Sequence, residues 1–213
     1  EQAATLPVSL QTMHNAIVTT GRMERDDAVL IQGASSGVGI LGMQIAKYMG
    51  ARLVIGTSTH DGRRAQLTEY GADIALDSKS PDWADKVLEA TDGKGVDLIV
   101  DQVSGGVMNN NLRATRILGR IVNVGRLGGF TGELDFDLHA ARRIDYIGVT
   151  FRTRSEEEVA EIIRLMKDDL WGAVEAGTFT IPIDKEFPLD AAMEAHQYMK
   201  DNQHFGKILL TMS

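Results

Sequence analysis

A doubly wound α/β fold with a six-stranded parallel sheet is predicted by three observations. The first is a short, largely apolar run, Ala28 to Gln32, which suits a parallel strand covered on both faces. The second is the glycine turn that follows it, Gly33 to Gly39, leading into an apolar helix over Val38 to Met49 and a second apolar run over Arg52 to Gly56. The third is the regular alternation of strand-like and helix-like segments through the next hundred residues. Six strands of this kind predict the order 3-2-1-4-5-6, with a ligand across the carboxyl ends where the order reverses between strands 1 and 4.

Each element has its reason in the residues. Ala3 to Thr20 reads as a helix entering the domain, with Pro7 in its first turns. In the glycine turn, Gly33 allows the tight exit from strand 1, Gly37 removes a Cβ where a pyrophosphate would approach, and Gly39 lets helix and sheet pack closely. The free N–H groups opening that helix face the phosphates. The spacing Gly33-x-x-x-Gly37-x-Gly39 gains weight because strand, helix and second strand all accompany it.

Asp61 to Tyr70 is predicted helical and stopped by Gly71, and Ala72 to Leu76 is the third strand. Asp82 to Ala90 is amphipathic, with Trp83, Val87 and Leu88 on one face. A turn at Asp92 to Gly95 leads to strand 4 (Val96 to Val100). A helix over Val107 to Thr115 leads to strand 5 (Arg120 to Val124), and strand 6 covers Tyr146 to Thr150. Ser155 caps a helix to Ala176 that opens on three glutamates, suited to the positive helix end. Gly177 to Pro188 is an extended connector with a short strand at Phe179 to Ile183. A helix at Leu189 to Lys200 and a strand at Lys207 to Met212 close the chain. Gly125 to Gly132 is the most flexible-looking segment, a candidate cover over a bound ligand.

Composition bounds the function. The 213 residues suffice for a substantial core. A net charge of −8 argues against nucleic-acid binding, which leaves a basic footprint. No apolar run reaches membrane-spanning length, and no secretory leader opens the chain, so no membrane partner is expected. The absence of cysteine removes thiolate metal sites and thiol nucleophiles and fits a reducing, cytoplasmic setting. The first residue is Glu1 rather than Met, which points to a segment of a longer polypeptide.

Taken in order, the motifs resemble the cofactor domain of the medium-chain dehydrogenase/reductase superfamily, in its zinc-free quinone oxidoreductase branch. They are Ala4-Thr-Leu-Pro7 with Thr12, the GASSGVG turn, Gly71-Ala-Asp73, Gly95-Val-Asp97, Asp101-Gln-Val-Ser-Gly-Gly106, Gly119-Arg-Ile-Val-Asn-Val-Gly125, Ala192-Met-Glu-Ala-His196 and Phe205-Gly-Lys-Ile-Leu209. The resemblance implies a preceding GroES-like catalytic domain that this chain lacks. It then implies an interdomain helix at residues 1–20, a Rossmann domain at 21–177 and a C-terminal segment at 178–213 that returns to the missing domain. Zinc-dependent relatives carry a ligand where Val8 stands, and an isopropyl group cannot ligate, so no metal is expected. Short-chain dehydrogenases share the glycine spacing but need Tyr-x-x-x-Lys, and none of Tyr48, Tyr70, Tyr146 or Tyr198 has Lys four residues on.

The second strand runs into Thr57-Ser58-Thr59, where an NAD enzyme usually places an acid for the ribose 2′-hydroxyl. Hydroxyls at Ser58 and Thr59 with Arg63 and Arg64 close by suit a 2′-phosphate, so the expected cofactor is NADP(H). The resemblance implies further cofactor positions: Gly37 and Val38 at the pyrophosphate, Ser78 near the adenosine phosphate in place of a usual Tyr, and Val103 near the adenosine. Gly125, Arg126 and Leu127 would lie under the nicotinamide, Phe151 and Arg152 beside it, Asn202 and Phe205 on the returning segment, and Thr12 facing the cleft. No catalytic residue emerges: His14, His60, His139, His196 and His204 are scattered, and Asp168-Asp169 reads as a solvated face.

The leading expectation is an NADPH-dependent reductase of quinones or α,β-unsaturated carbonyls. The alternatives are an enoyl reductase module of a polyketide or fatty-acid synthase, and a nucleotide-binding protein without turnover. The short polar end Thr211-Met-Ser213 favours a stand-alone enzyme. A homodimer through the sixth-strand region, Arg142 to Arg154, is the expected assembly.

Overall fold

The computed structural model describes residues 1–212; Ser213, the last residue of the polar end, lies outside the described residues. Six parallel strands form one sheet in the order β3-β2-β1-β4-β5-β6, as expected. They are β1 (Ala28–Gln32), β2 (Leu53–Thr57), β3 (Ile74–Leu76), β4 (Val96–Asp101), β5 (Thr115–Asn123) and β6 (Asp145–Gly148). Val29 faces Val54 on one side and Leu98 on the other, so β1 sits at the centre of the register.

The alternation of side chains along β1 divides the core in two. Val29 and Ile31 join helices α2 (Pro7–His14), α3 (Gly37–Tyr48) and α8 (Glu156–Glu175) through Met13, Ile40, Met43, Met166 and Leu170. Ala28 and Leu30 join α5 (Trp83–Ala90) and α6 (Met108–Ala114) through Trp83, Val87 and Leu112. Both faces are therefore dry, which is why β1 is apolar up to Gln32.

The remaining helices are α1 (Gln2–Thr5), α4 (Asp61–Gln66), α7 (Phe136–Arg142) and α9 (Ala192–Lys200). The entering helix is not continuous. It breaks into α1, α2 and a wider π-type turn at Asn15–Thr19, where the Asn15 side chain takes a hydrogen bond from Thr19 Oγ1 (2.9 Å). α7 was not anticipated; Asp135 caps it by accepting from the Leu138 N–H (2.8 Å). β5 begins earlier than expected, at Thr115, and a register shift against β4 absorbs the extra residues. β6 ends at Gly148 rather than Thr150.

The strand expected at Phe179 to Ile183 is corrected. Phe179 and Ile181 are buried anchors of an unpaired segment, which docks instead through the Gln44 side chain to Thr180 (2.7 and 3.0 Å). The strand is β7 (Ile183–Pro188), whose polar Asp-Lys-Glu gave no strand signal. It pairs in parallel with β8 (Lys207–Thr211) across α9. Asp169 is not simply solvated either: it pairs at 2.7 Å with Nε2 of the buried His14, tying α2 to α8.

Gly39 packs α3 directly on the glycine turn, since a Cβ there would lie 2.7 Å from the Ala34 Cα and from the Gly33 carbonyl. Gly39→Ala adds about 1 kcal/mol of helix propensity but must displace backbone. A net loss of about 1–3 kcal/mol is expected from urea unfolding, and an unchanged midpoint would contradict the close approach.

Candidate functional site

The carboxyl ends of β1, β2, β4 and β5 are joined by buried polar side chains. Thr57 Oγ1 donates to Gln32 Oε1 (2.7 Å) and accepts from the Gly33 N–H (3.1 Å). Gln32 Nε2 donates to Asn111 Oδ1 (2.8 Å), and Asn111 Nδ2 donates to Asp101 Oδ2 (3.1 Å). The other oxygen of Asp101 accepts from the N–H groups of Val103 (2.8 Å) and Ser104 (2.9 Å). Burial raises the Asp101 carboxyl above its ordinary range, against the lowering effect of those three donors.

This network shapes two loops. Gly33 takes φ +70°, and Ser36 caps α3 by accepting from the Gly39 N–H (3.0 Å). Gln102 Nε2 reaches across to the Gln32 carbonyl (3.1 Å). Ser104 is held at φ 58° and ψ −152°, a region that favours glycine. Its Oγ donates to the Gly125 carbonyl (2.8 Å) and accepts from Asn123 Nδ2. Residues 125–128 then run beside 101–103, with Leu127 N–H on the Gln102 carbonyl (3.0 Å) and Gly128 N–H on the Val103 carbonyl (2.7 Å). A Cβ at Gly125 would meet the Gln102 carbonyl at 2.7 Å, so this crossing needs glycine.

Two of the cavities at this end of the sheet gather most of the expected positions. One, of about 700 Å³, is lined by Gly33, Ser58, Thr59, Arg63, Ser78, Val103, Leu127 and Asn202. It gathers five of the sequence-predicted positions from the adenosine half (Ser58, Thr59, Arg63, Ser78 and Val103) together with Asn202 of the returning segment and Leu127, and no carboxylate among the described residues lines it. Arg63 is 9% exposed; its Nη1 donates to Asn202 Oδ1 (2.9 Å) and to the His204 carbonyl (3.1 Å), while its Nε is buried without a partner. Arg64 turns away, to the Ser58 carbonyl (3.1 Å) and Asp61 (2.6 Å). The second cavity, of about 300 Å³, is lined by Thr12, Asn15, Val124, Arg126, Thr150, Phe151 and Arg152. It brings together four more expected positions: Thr12, Arg126, Phe151 and Arg152.

Gly37, Val38, Gly125 and Phe205 line neither cavity. Phe205 is buried and packs edge-on against Tyr70 (5.6 Å between ring centres). The space beside Gly37 holds the Lys207 stem: a Cβ at Gly37 would lie 2.8 Å from Lys207 Cε. Burial lowers the Lys207 ammonium below its ordinary value. Sequence reasoning missed Lys207 as a neighbour of the α3 N-terminus, although it lies in the Phe205-Gly-Lys motif. It also missed Lys200 and His204 on the larger cavity, whose placement depends on how β7 and β8 return.

Residues 37–168 match the zinc-binding dehydrogenase family. The chain is 28% identical over 99% of its length to 10% of a phenolphthiocerol/phthiocerol polyketide synthase of Mycobacterium tuberculosis. It is 27% identical over 99% of its length to 62% of the quinone oxidoreductase of Rattus norvegicus. It superimposes with a TM-score of 0.84 and 29% identity on a probable oxidoreductase from Mycobacterium abscessus, covering 98% of this chain and 62% of that one. It thus spans less than two thirds of each relative.

Thr57 joins β1, β2 and the glycine turn. Thr57→Val keeps the shape but leaves Gln32 Oε1 and the Gly33 N–H unpaired. A loss of about 1–3 kcal/mol is expected in urea unfolding, with Thr57→Ser close to the parent; equal stability of the Val variant would refute the network's role.

Proposed function

We infer, from the premise that this chain belongs to the zinc-binding dehydrogenase family, in the quinone oxidoreductase-like branch of the medium-chain dehydrogenase/reductase superfamily, that it forms the NADP(H)-binding part of a zinc-independent reductase of quinones or α,β-unsaturated carbonyls. The observation that carries the cofactor is the cavity at the end of β2. It offers Ser58, Thr59, Ser78 and a nine-tenths buried Arg63 with an unpaired Nε, and no acid among the described residues for a 2′-hydroxyl.

When bound, the dinucleotide supplies the hydride. The chain's own residues hold and orient it. Ser58, Thr59, Arg63, Ser78 and Asn202, which line the larger cavity, would hold the 2′-phosphate and adenosine. The opening turn of α3, at Gly37 and Val38, would hold the pyrophosphate with its free N–H groups, and Lys207 would add a positive charge there. Gly125, Arg126 and Leu127 would hold the nicotinamide end, and Thr12, Arg126, Phe151 and Arg152, which line the smaller cavity, would form the wall beside it. Val103 and Leu127 would give apolar surface to the adenosine half of the larger cavity.

Zinc independence rests on Val8, which is 60% exposed on α2 and has no donor atom. A second copy is the proposed partner, paired along β6, whose Asp145, Tyr146 and Gly148 are exposed at the sheet edge. The enoyl reductase reading is favoured by the polyketide synthase relative, of which this chain matches about a tenth. Both readings deliver hydride to a carbon conjugated with a carbonyl, and a donor or water must meet the developing oxyanion.

Titration with NADPH and NADH, followed by nicotinamide fluorescence, tests the cofactor. NADPH is expected to bind at least about tenfold more tightly, and Arg63→Ala to remove that margin while sparing NADH, the loss of one charge-assisted phosphate contact. Equal NADH binding would overturn NADP(H). In the polypeptide that carries this chain, NADPH oxidation by a 1,4-quinone or an enoyl thioester, undiminished by a chelator, separates the two substrates; binding without turnover of either would leave a nucleotide-binding protein.

A further inference from the structure

The wall of the larger cavity that faces β2 is built by the chain's C-terminal segment. Lys200 ends α9, Asn202 and His204 follow, and all three line the cavity with Ser58, Thr59, Arg63 and Ser78. Asn202 adopts φ 52° in the turn that carries His204 inward. Arg63 then fixes this loop through its two Nη1 contacts to Asn202 and to the His204 carbonyl. Two buried nitrogens remain unsatisfied at this junction, Arg63 Nε and His204 Nδ1. Buried polar atoms are rarely left unpaired. Here they border a cavity with hydroxyls, an ammonium and a guanidinium on its walls and no carboxylate among the described residues to balance them.

Resting on the reading that this cavity takes NADP(H), we propose that His204 is a further selectivity residue: its imidazole takes up a proton when a 2′-phosphate enters and pairs with it, so preference for the phosphorylated dinucleotide is proton-linked. The charged groups facing the ring come from four elements. Burial holds the imidazole below its ordinary value of 6.5; Asp184 on β7 pulls it up, and Arg63 on α4 and Lys207 on β8 push it down. Lys200 at the end of α9 adds positive charge to the same cavity. The ring is therefore neutral near pH 7 without ligand. A phosphate dianion reverses the local field and raises the imidazole's pKa in the complex. The sign follows: the gain in affinity is complete below the free-state pKa, itself under 6.5, and is lost as pH rises through the raised value in the complex. The phosphate's own second ionisation, near about pH 6, limits the acid side.

The test is calorimetric titration of the chain with 2′,5′-ADP and with 5′-AMP from pH 6.5 to 8.5 (about the span of a histidine titration), in two buffers of different ionisation enthalpy. Near neutral pH, proton uptake is expected with 2′,5′-ADP and not with AMP. Affinity for 2′,5′-ADP should fall about tenfold across the range, one charge-assisted contact, while AMP stays level. His204→Gln keeps a polar side chain that cannot titrate, and should abolish both the uptake and the slope without changing AMP binding. Tight, pH-independent 2′,5′-ADP binding, or uptake that survives in the variant, would overturn the role of His204 and leave the NADP(H) reading standing. No preference for 2′,5′-ADP over AMP at any pH would overturn both.

Discussion

The hydrogen-bonded chain from Thr57 through Gln32 and Asn111 to Asp101 is the constraint on which the rest of the site depends. It buries three polar side chains, Gln32, Thr57 and Asp101, at the ends of strands that are otherwise largely apolar, and a fourth, Asn111, on α6 beside them. Such groups are costly to bury unless every partner is present. Here each partner sits on a different element, so satisfying one fixes the next. The Gly33 turn, the Asp101 turn and the crossing at Gly125 are three outputs of one network. The strain at Ser104 is tolerable because Asp101, Asn123 and Gly125 together determine where it goes.

The two halves of the site are secured differently. The half above β4, β5 and β6 is held by backbone, with the N–H groups of Val124, Gly125, Leu127 and Gly128 bonding to the carbonyls of residues 101–103. The half beyond β2 is held by side chains from distant parts of the chain, with Arg63 of α4 clasping the loop after α9. A parallel bridge between Ser36 and Gly206, and the Lys207 stem over Gly37, bring the C-terminal segment onto the glycine turn. The turn is thereby covered on one side by chain more than a hundred and sixty residues away in sequence.

The entering segment has a matching role. His14 is buried, and its pairing with Asp169 fixes α2 against α8. Thr12 and Asn15, which flank it in sequence, are thus presented to the smaller cavity beside Phe151 and Arg152. The π-type turn after His14 arises where Asn15 and Thr19 bond to each other rather than only to the helix backbone. The residue that opens this break, Asn15, therefore also faces the cleft.

The sequence by itself determined the sheet. A run such as Ala28–Gln32, apolar along nearly its whole length, has one low-energy place, the centre of a parallel sheet covered on both faces, and the glycines of the turn allow one kind of exit from it. Most of the larger cavity's wall was legible for the same reason, because Ser58, Thr59, Arg63 and Val103 lie at fixed distances from strand ends. Local patterns could not show α7, with its weak apolar periodicity, or β7, whose Asp-Lys-Glu becomes a strand only because β8 pairs with it. Nor could they place Lys207 against the glycine turn, bring Lys200 and His204 to the larger cavity, or pair His14 with Asp169. Those contacts are long-range, and their partners are chosen by burial, unpaired hydrogen-bonding groups and charge that exist only once the sheet has folded and the C-terminal segment has returned across it.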